Sequence, residues 1–526
     1  MQEIQNRAPR QGETKIQNPA PDLVIAVDSS TTASKAVIWD RHGQPVAEGR
    51  ASFPLLNPQP GWYEQRADAW WDSTAAALRA ATSQVDPQRI AAICITHQRE
   101  SFVLVDAQCR PIRDAILWLD ERSLAQVAAM DARFGNARIH QITGKPVAMT
   151  PALYKILWLQ EHEPDVLRRA HKILDVHAFL VWQLTGLWKT SWACADPIGL
   201  VDMRSFSWSA ELMQALELDP AQYVELVPPG AIIGEITAAA ARATGLPAGL
   251  PVVAGAGDGQ SAGLGANVTR AGQAYLNLGT AVVSGAHSED YAADPAFRAL
   301  GSPIAGAYTL ETLIRGGSFT ISWFAERFAH DLQRIGTTSI EDQLELAARD
   351  VPPGALGLLA VPYWNGVATP YWDGSATGIT IGWTGSHGRE HFYRALLEGI
   401  AFEQRLSTEG IERAIGQPIT EYMTLGGGSK SALWCQIVAD VTGRRVTRAG
   451  NPEATCLGAG VLAAVAAGWY DDARSAADAM TSAGESFDPQ PATQQIYDQL
   501  YREVYLGLYP ALRASLRRLT ELTRGA

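Results

Sequence analysis

Apolar and hydroxyl-rich blocks alternate along this chain, and one arrangement of them occurs twice. Val24-Ile25-Ala26-Val27 is an apolar run, Asp28-Ser29-Ser30-Thr31-Thr32 a small polar turn, and Ala36-Val37-Ile38-Trp39 a second apolar run. Ala274-Tyr275-Leu276-Asn277-Leu278, Gly279-Thr280 and Ala281-Val282-Val283 repeat the scheme far downstream. Each predicts strand, tight turn, strand. A turn of small and hydroxyl residues leaves backbone N–H groups free to meet a phosphate oxygen. Taken singly, each block is an ordinary hairpin. Taken together, they point to a duplicated fold gripping a nucleoside triphosphate between its halves.

The rest of the pattern supports an α/β chain. Residues 22–52 read as three strands with a turn at Arg41-His42-Gly43-Gln44, and Ala67–Ala81 as a helix. Ile90–Ile95 is a buried strand, Phe102–Val105 and Ile116–Trp118 short strands, and Pro151–Leu184 mostly helical. Pro251–Ala254 is another strand. From about residue 267 the order repeats, with helices over 319–331, 388–413, 430–442 and 455–467. Each half is thus a mixed sheet with helices. The organisation expected is a flexible tail over 1–21, one domain over 22–266 and a second over 267–510.

A chain of 526 residues is too long for one core. Apolar content of 47% and charged content of 19% fit a packed protein. With 43 basic and 55 acidic residues the net charge is −12, which argues against nucleic acid as a partner. Cys94, Cys109, Cys194, Cys435 and Cys456 are scattered without C-x-x-C spacing, predicting a reduced, cytoplasmic setting and no zinc site. The first 20 residues are polar and carry no leader-like apolar segment. Ala454–Tyr470 is uncharged, but its Ala and Gly content predicts a buried core helix rather than a membrane span.

Several residues carry candidate chemistry. Asp28 ends the first strand and could hold Mg2+ through oxygen ligation. Asp258, between Gly257 and Gly259, could take a proton from a hydroxyl attacking phosphorus. Arg99 and Glu100 place a donor and an acceptor side by side, as a polyhydroxylated ligand requires. Trp118 and Asp120 offer an apolar wall beside an acceptor. Gly426-Gly427-Gly428-Ser429 precedes a helix, so a ligand could lie close to its backbone. No G-x-x-x-x-G-K-S/T occurs, so this is not a P-loop chain. His162, His171 and His177 lack ligand spacing and read as helix-surface residues.

Together these segments resemble the FGGY family of carbohydrate kinases, over about Leu23–Tyr470. Asp28–Thr32 resembles the first phosphate loop, and Thr96–Ser101 with Trp118–Asp120 the sugar-contacting segments. Gly257–Gly259 resembles the catalytic-base segment, Leu278–Thr280 the second phosphate loop, Gly378–Glu398 a family signature and Gly426–Ser429 the adenosine loop. The resemblance implies two actin-like, ribonuclease H-like domains with a central cleft. It implies ATP as co-substrate, Mg2+, and transfer of the γ-phosphoryl group to a small sugar or polyol. Asp258 would be the base and would also meet the substrate, with Arg99, Glu100, Trp118 and Asp120. Asp28 would organise the metal. Ser30, Thr31, Thr32, Lys35, Gly279, Thr280, Gly427, Gly428 and Ser429 would hold the nucleotide. No membrane partner is expected, and a homodimer is allowed by the sequence without being required.

Three departures from the family pattern involve four positions. Ser30 replaces a glycine, so the first turn is expected to be strained or crowded. Lys35 stands where polyol kinases favour Arg, and Thr380 and Trp383 replace aliphatic residues. Gln98–Glu100 and Ala368–Asp373 resemble glycerol kinases. Met149–Trp158, Gly255–Gly265 and Gly426–Trp434 resemble xylulokinases, and Thr150 stands near the place of a glycerol-kinase tyrosine. The expected substrate is a ketose, a pentulose such as xylulose, with glycerol or a four-carbon polyol or ketose as the alternative. Two other readings compete: an actin-like ATPase without sugar substrate, and a catalytically degenerate sugar sensor motivated by Ser30.

Overall fold

The computed structural model describes residues 21–524 apart from 333 and 335–337. The tail expected over 1–21 therefore lies, except for Pro21, outside the described residues.

Two sheets repeat one plan. In the first, the strand order is Ile232–Glu235, Pro251–Val253, Ile90–His97, Leu23–Ser29, Ala33–Trp39, Pro45–Ser52. Leu23–Ser29 runs antiparallel to Ala33–Trp39 on one side and parallel to Ile90–His97 on the other. Pro251–Val253 is also parallel to Ile90–His97, and a further bridge joins His97 to Gly257. In the second sheet Gln273–Leu278 holds the corresponding place. It is antiparallel to Val282–Ser288 and parallel to Glu421–Leu425, which is itself parallel to Arg445–Ala449. Tyr308–Ile314 and Arg298–Gly301 extend the antiparallel side.

The central strands are buried on both faces, as continuous Val/Ile/Ala runs require. Helix Ala67–Thr82 packs on the first sheet from one side, and helix Ala454–Ala466 from the other. The latter belongs to the second half by chain order, yet Gly460 lies against Trp39 of the first sheet. Gly458 meets helix Asp258–Gly265 so closely that an added Cβ would sit 2.0 Å from the Ser261 carbonyl oxygen. This buried stretch spans only about 20 Å as a helix. Among the described residues no helix is long and apolar enough to cross a membrane.

The helices expected in the second half are present at Ser318–Phe328, Arg389–Ile415, Ala432–Thr442 and Ala454–Ala466, with further ones at Ile340–Arg349 and Ala473–Met480. Three features differ from the expectation. The run Pro151–Leu184 is broken by strand Lys172–Asp175, which pairs with Phe102–Val105. Helical structure over 491–524 was not foreseen. There Tyr497, Tyr501, Tyr505 and Tyr509 recur every four residues on one face. Their hydroxyls donate to Glu398, Glu409, Glu403 and Asp373. His177 is a correction. It is fully buried, with Nδ1 2.9 Å from Thr190 Oγ1 and Nε2 accepting the Gly255 N–H. The five cysteines are free and buried.

Candidate functional site

Parallel pairing carries the site residues to one edge of each sheet. Asp28 lies opposite Thr96 and Ser29 opposite His97, so the first turn and the segment His97–Glu100 emerge together. The His97–Gly257 bridge adds Asp258, the first residue of helix Asp258–Gly265. In the second sheet Asn277 lies opposite Leu425, which brings Gly279-Thr280 beside Gly426–Ser429. Ligand sites at the carboxyl ends of parallel strands are a general consequence of this geometry.

The first turn is not strained at Ser30. That residue is outside the left-handed region, and its hydroxyl and N–H both donate to the Ala33 carbonyl, at 2.8 and 2.9 Å. The expected crowding is thus relieved, because the side chain folds back onto its own turn. Thr31 accepts from Trp118 Nε1 at 3.2 Å, while Thr32 is exposed. In the second turn the carbonyls of Gly279 and Thr280 accept from Ser318 N and Phe319 N. Gly428 is packed against Trp434 and Leu278, where an added Cβ would come within 2.4 Å of the indole. Gly427 faces open space, and Ser429 Oγ donates to the Gly426 carbonyl at 2.7 Å.

A cleft cavity of about 710 Å³ is lined from both halves. One wall carries Thr31, Arg99, Glu100, Trp118 and Asp258, the other Ala281, Val283, Arg298, Leu313 and Arg315. Trp118 is 39% exposed into it. At its base a charge network ties the walls together. Arg99 Nη1 donates to Glu311 Oε2 at 2.9 Å, and its Nε lies 2.8 Å from Asp258 Oδ1 without an aligned hydrogen bond. Arg298 reaches Glu100 Oε1 at 2.7 Å and Glu311 Oε1 at 2.5 Å. Tyr275 donates to Glu311 Oε2 at 2.9 Å. Burial alone would push the Glu311 carboxyl up, but Arg298 and Arg99 outweigh it and hold it at about 2. Glu100 sits at φ +58°, a turn that aims its carboxylate at Arg298. Asp258, with 42% of its side chain exposed, is the open carboxylate of the set.

Asp28 is half-buried, and its Oδ1 is enclosed without a hydrogen-bond partner among the described residues. Burial raises its carboxyl to about 7, helped by the charges of Asp258 and Glu453 and opposed by Lys35. The Lys35 ammonium is drawn to Glu48 and Glu453, at 3.0 and 2.9 Å, rather than left free for a phosphate. Asp120 is the clear departure from the expected substrate contacts. It is wholly buried, and its oxygens accept from Arg122 Nε, Arg122 Nη2, Arg122 N and Tyr63 N at 2.6–3.0 Å. All its acceptor positions are filled by the protein, so it anchors the loop behind Trp118 and faces no ligand.

Arg298 and Arg315 line the cavity, Glu311 joins the network at its base and Lys155 lies just behind its wall, and none of the four was foreseen. Each is a lone charge in an apolar run: Phe297-Arg298-Ala299, Leu310-Glu311-Thr312-Leu313, Ile314-Arg315 and Tyr154-Lys155-Ile156. That isolation is the signal that could have found them. Lys155 is fully buried and donates to the carbonyls of Met149, Thr150 and Trp118, at 2.7, 2.9 and 3.4 Å.

The family models for the N-terminal and C-terminal domains of the FGGY carbohydrate kinases match residues 23–265 and 274–467. The chain belongs to the FGGY family of carbohydrate kinases. It is 30% identical to the xylulose kinase of Escherichia coli, over 85% of this chain and 90% of that one. It is 31% identical to a glycerol kinase of Alkalilimnicola ehrlichii, over 88% and 93% respectively. The crystal structure of xylulose kinase from Rhodospirillum rubrum superposes with a TM-score of 0.87 at 30% identity, covering 94% of this chain and 99% of that one. The FGGY chain is thus a phosphotransferase of the actin-like, ribonuclease H-like fold, and kinase chemistry implies ATP as co-substrate.

Proposed function

We propose that the chain transfers the γ-phosphoryl group of ATP to a hydroxyl of a ketose, a pentulose such as xylulose. The observation that carries this reading is Asp258. It is an open carboxylate braced by Arg99 at the base of a cavity whose two walls each bear a phosphate-type turn. Asp258 accepts the proton of the attacking hydroxyl. Arg99, Glu100 and Trp118 hold the sugar, the first two with orientations fixed by Glu311 and Arg298. Thr31, Thr32, Gly279 and Thr280 hold the phosphates through their backbone and hydroxyl donors, Ser30 keeps the first turn in shape with both its donors on the Ala33 carbonyl, and Gly427, Gly428 and Ser429 receive the adenosine. Phosphoryl transfer asks mainly for positioning and charge neutralisation, which this set supplies.

Asp28 fits a role at Mg2+. Its enclosed, unpartnered oxygen and raised carboxyl are what a hard cation would relieve. Bound there, Mg2+ would neutralise phosphate charge; Lys35, tied to Glu48 and Glu453, tunes Asp28 by charge rather than touching nucleotide.

The xylulose kinases among the relatives support the pentulose, and the glycerol-kinase match supports glycerol as the second candidate. A coupled ADP-release assay over xylulose, ribulose, erythrulose, erythritol and glycerol separates them. The reading predicts the highest kcat/KM on a pentulose. A maximum on glycerol or erythritol would transfer the assignment to a polyol kinase. ADP release indifferent to every added sugar would support the actin-like ATPase instead.

A further inference from the structure

Four arginine and glutamate side chains at the base of the cavity neutralise one another, but Arg315 higher on the same wall does not share in that exchange. It lines the cavity, yet its guanidinium has no hydrogen bond or ion pair with any described residue. Burial lowers its affinity for a proton, and Glu121 on the opposite wall opposes that only at longer range. A guanidinium so placed is held ready for an anion that arrives with the reactants.

The strand fixes which anion. Alternate residues of Tyr308–Ile314 face the cleft, so Glu311, Leu313 and the following Arg315 form one row. Glu311 ends the row beside Arg99 and Asp258; Arg315 stands about 13 Å further along at strand spacing. Ile314 pairs with Val282, so Arg315 lies beside Ala281, which follows Gly279-Thr280. Three residues later the chain enters helix Ser318–Phe328, whose first N–H groups close onto that turn. Arg315 is therefore at the phosphate-turn end of the cavity.

We propose that Arg315 is a catalytic residue that binds the phosphoryl group in transit, spreading its charge onto a guanidinium. The proposal rests on the kinase reading above. As the acceptor oxygen bonds to the γ-phosphorus, the bond from that phosphorus to the β–γ bridging oxygen breaks. ADP keeps the electron pair and Asp258 takes the hydroxyl proton. Negative charge on the equatorial oxygens peaks in between, where a fixed arginine is worth most.

The test uses the full chain with Arg315→Ala and Arg315→Lys. Turnover on the preferred neutral sugar is expected to fall about 100-fold or more in the alanine variant, with sugar KM little changed and part of kcat restored by lysine. A second readout needs no sugar. The ratio of ADP to ATP dissociation constants, followed by the fluorescence of Trp118 and Trp364 in the cavity, should fall about tenfold as the γ-phosphoryl loses its partner. An unchanged ratio overturns the proposal. So does normal turnover on neutral sugars with a loss confined to carboxylate-bearing sugar acids, since Arg315 would then read the substrate. If the wild-type chain releases no sugar-dependent ADP but the ratio still falls in the variant, the sugar-kinase reading fails and takes the catalytic role with it, leaving Arg315 as a partner of the γ-phosphoryl group alone.

Discussion

Asp120 and Lys155 stand one layer behind the wall that carries Trp118 and hold it in shape. Asp120 and Arg122 are both without solvent exposure, and the Arg122 guanidinium also lies 3.8 Å over the Trp62 ring. Removing one partner of such a pair leaves a buried charge, so Asp120→Ala should cost about 3–5 kcal/mol in urea unfolding. Were Asp120 a sugar ligand instead, stability would be nearly intact and sugar KM would rise. Lys155 offers a pH signature. Burial brings its ammonium down to about 8, with Glu100 and Asp120 opposing the shift. Below that pH it can serve three carbonyls; above it one donor is lost. Sugar KM should therefore rise as pH passes about 8, and Lys155→Met should give a KM raised about tenfold and flat with pH. The folding contribution has the opposite sign. Between about 8 and 10.5 the unfolded chain binds more protons at this lysine, so stability from it increases with pH. Asp258, Arg99, Glu100 and Trp118 were legible in sequence because each stands next to a strand end or a turn. Arg298 and Glu311 were not, because their partners Glu100 and Arg99 come from the other half of the chain, and Lys155 was not, because its partners are backbone carbonyls. Asp120 was misread for another reason: Arg122 stands only two residues on, but the sequence does not show that its guanidinium turns back onto the carboxylate.

The paired hairpins, as elements, behave as two versions of one device built differently at the tip. The second keeps its glycine and is backed by the start of helix Ser318–Phe328. The first replaces glycine with Ser30, whose hydroxyl serves as a local clasp on Ala33. Both were readable from alternating apolar and hydroxyl residues, as were the main helices. The strand Lys172–Asp175 was hidden because its apolar residues continue the helical spacing on either side, and its pairing with Phe102–Val105 is non-local. The tyrosine-faced helices over 491–524 escaped notice because their inner face is aromatic and hydroxylated rather than aliphatic. The sharpest element-level contact joins helices Asp258–Gly265 and Ala454–Ala466. Gly265 and Gly458 admit each other's backbone, and an added Cβ at either would fall 1.9–2.0 Å from a carbonyl oxygen. Gly458→Ala should destabilise the chain by about 1–3 kcal/mol. Because Asp258 begins one of these helices, turnover should fall as well. A thermal midpoint and activity both equal to wild type would contradict this packing account.

At the scale of the whole molecule, duplication explains why the cavity lies between the halves. Each half delivers one phosphate-type turn from a central strand and further site residues from its parallel neighbours. The cross-cleft network through Glu311 and Arg298 links the two walls of the cavity, so under the proposed function sugar and ATP would act on one shared set of contacts. Closure around both substrates would exclude water, which otherwise competes for the phosphoryl group. The most direct measurement is sugar-dependent ADP release by Asp258→Asn beside the wild-type chain, with ATP binding followed on the same samples. The account predicts that the substitution abolishes transfer to xylulose while ATP affinity stays nearly unchanged. Unaltered turnover in that variant would contradict it.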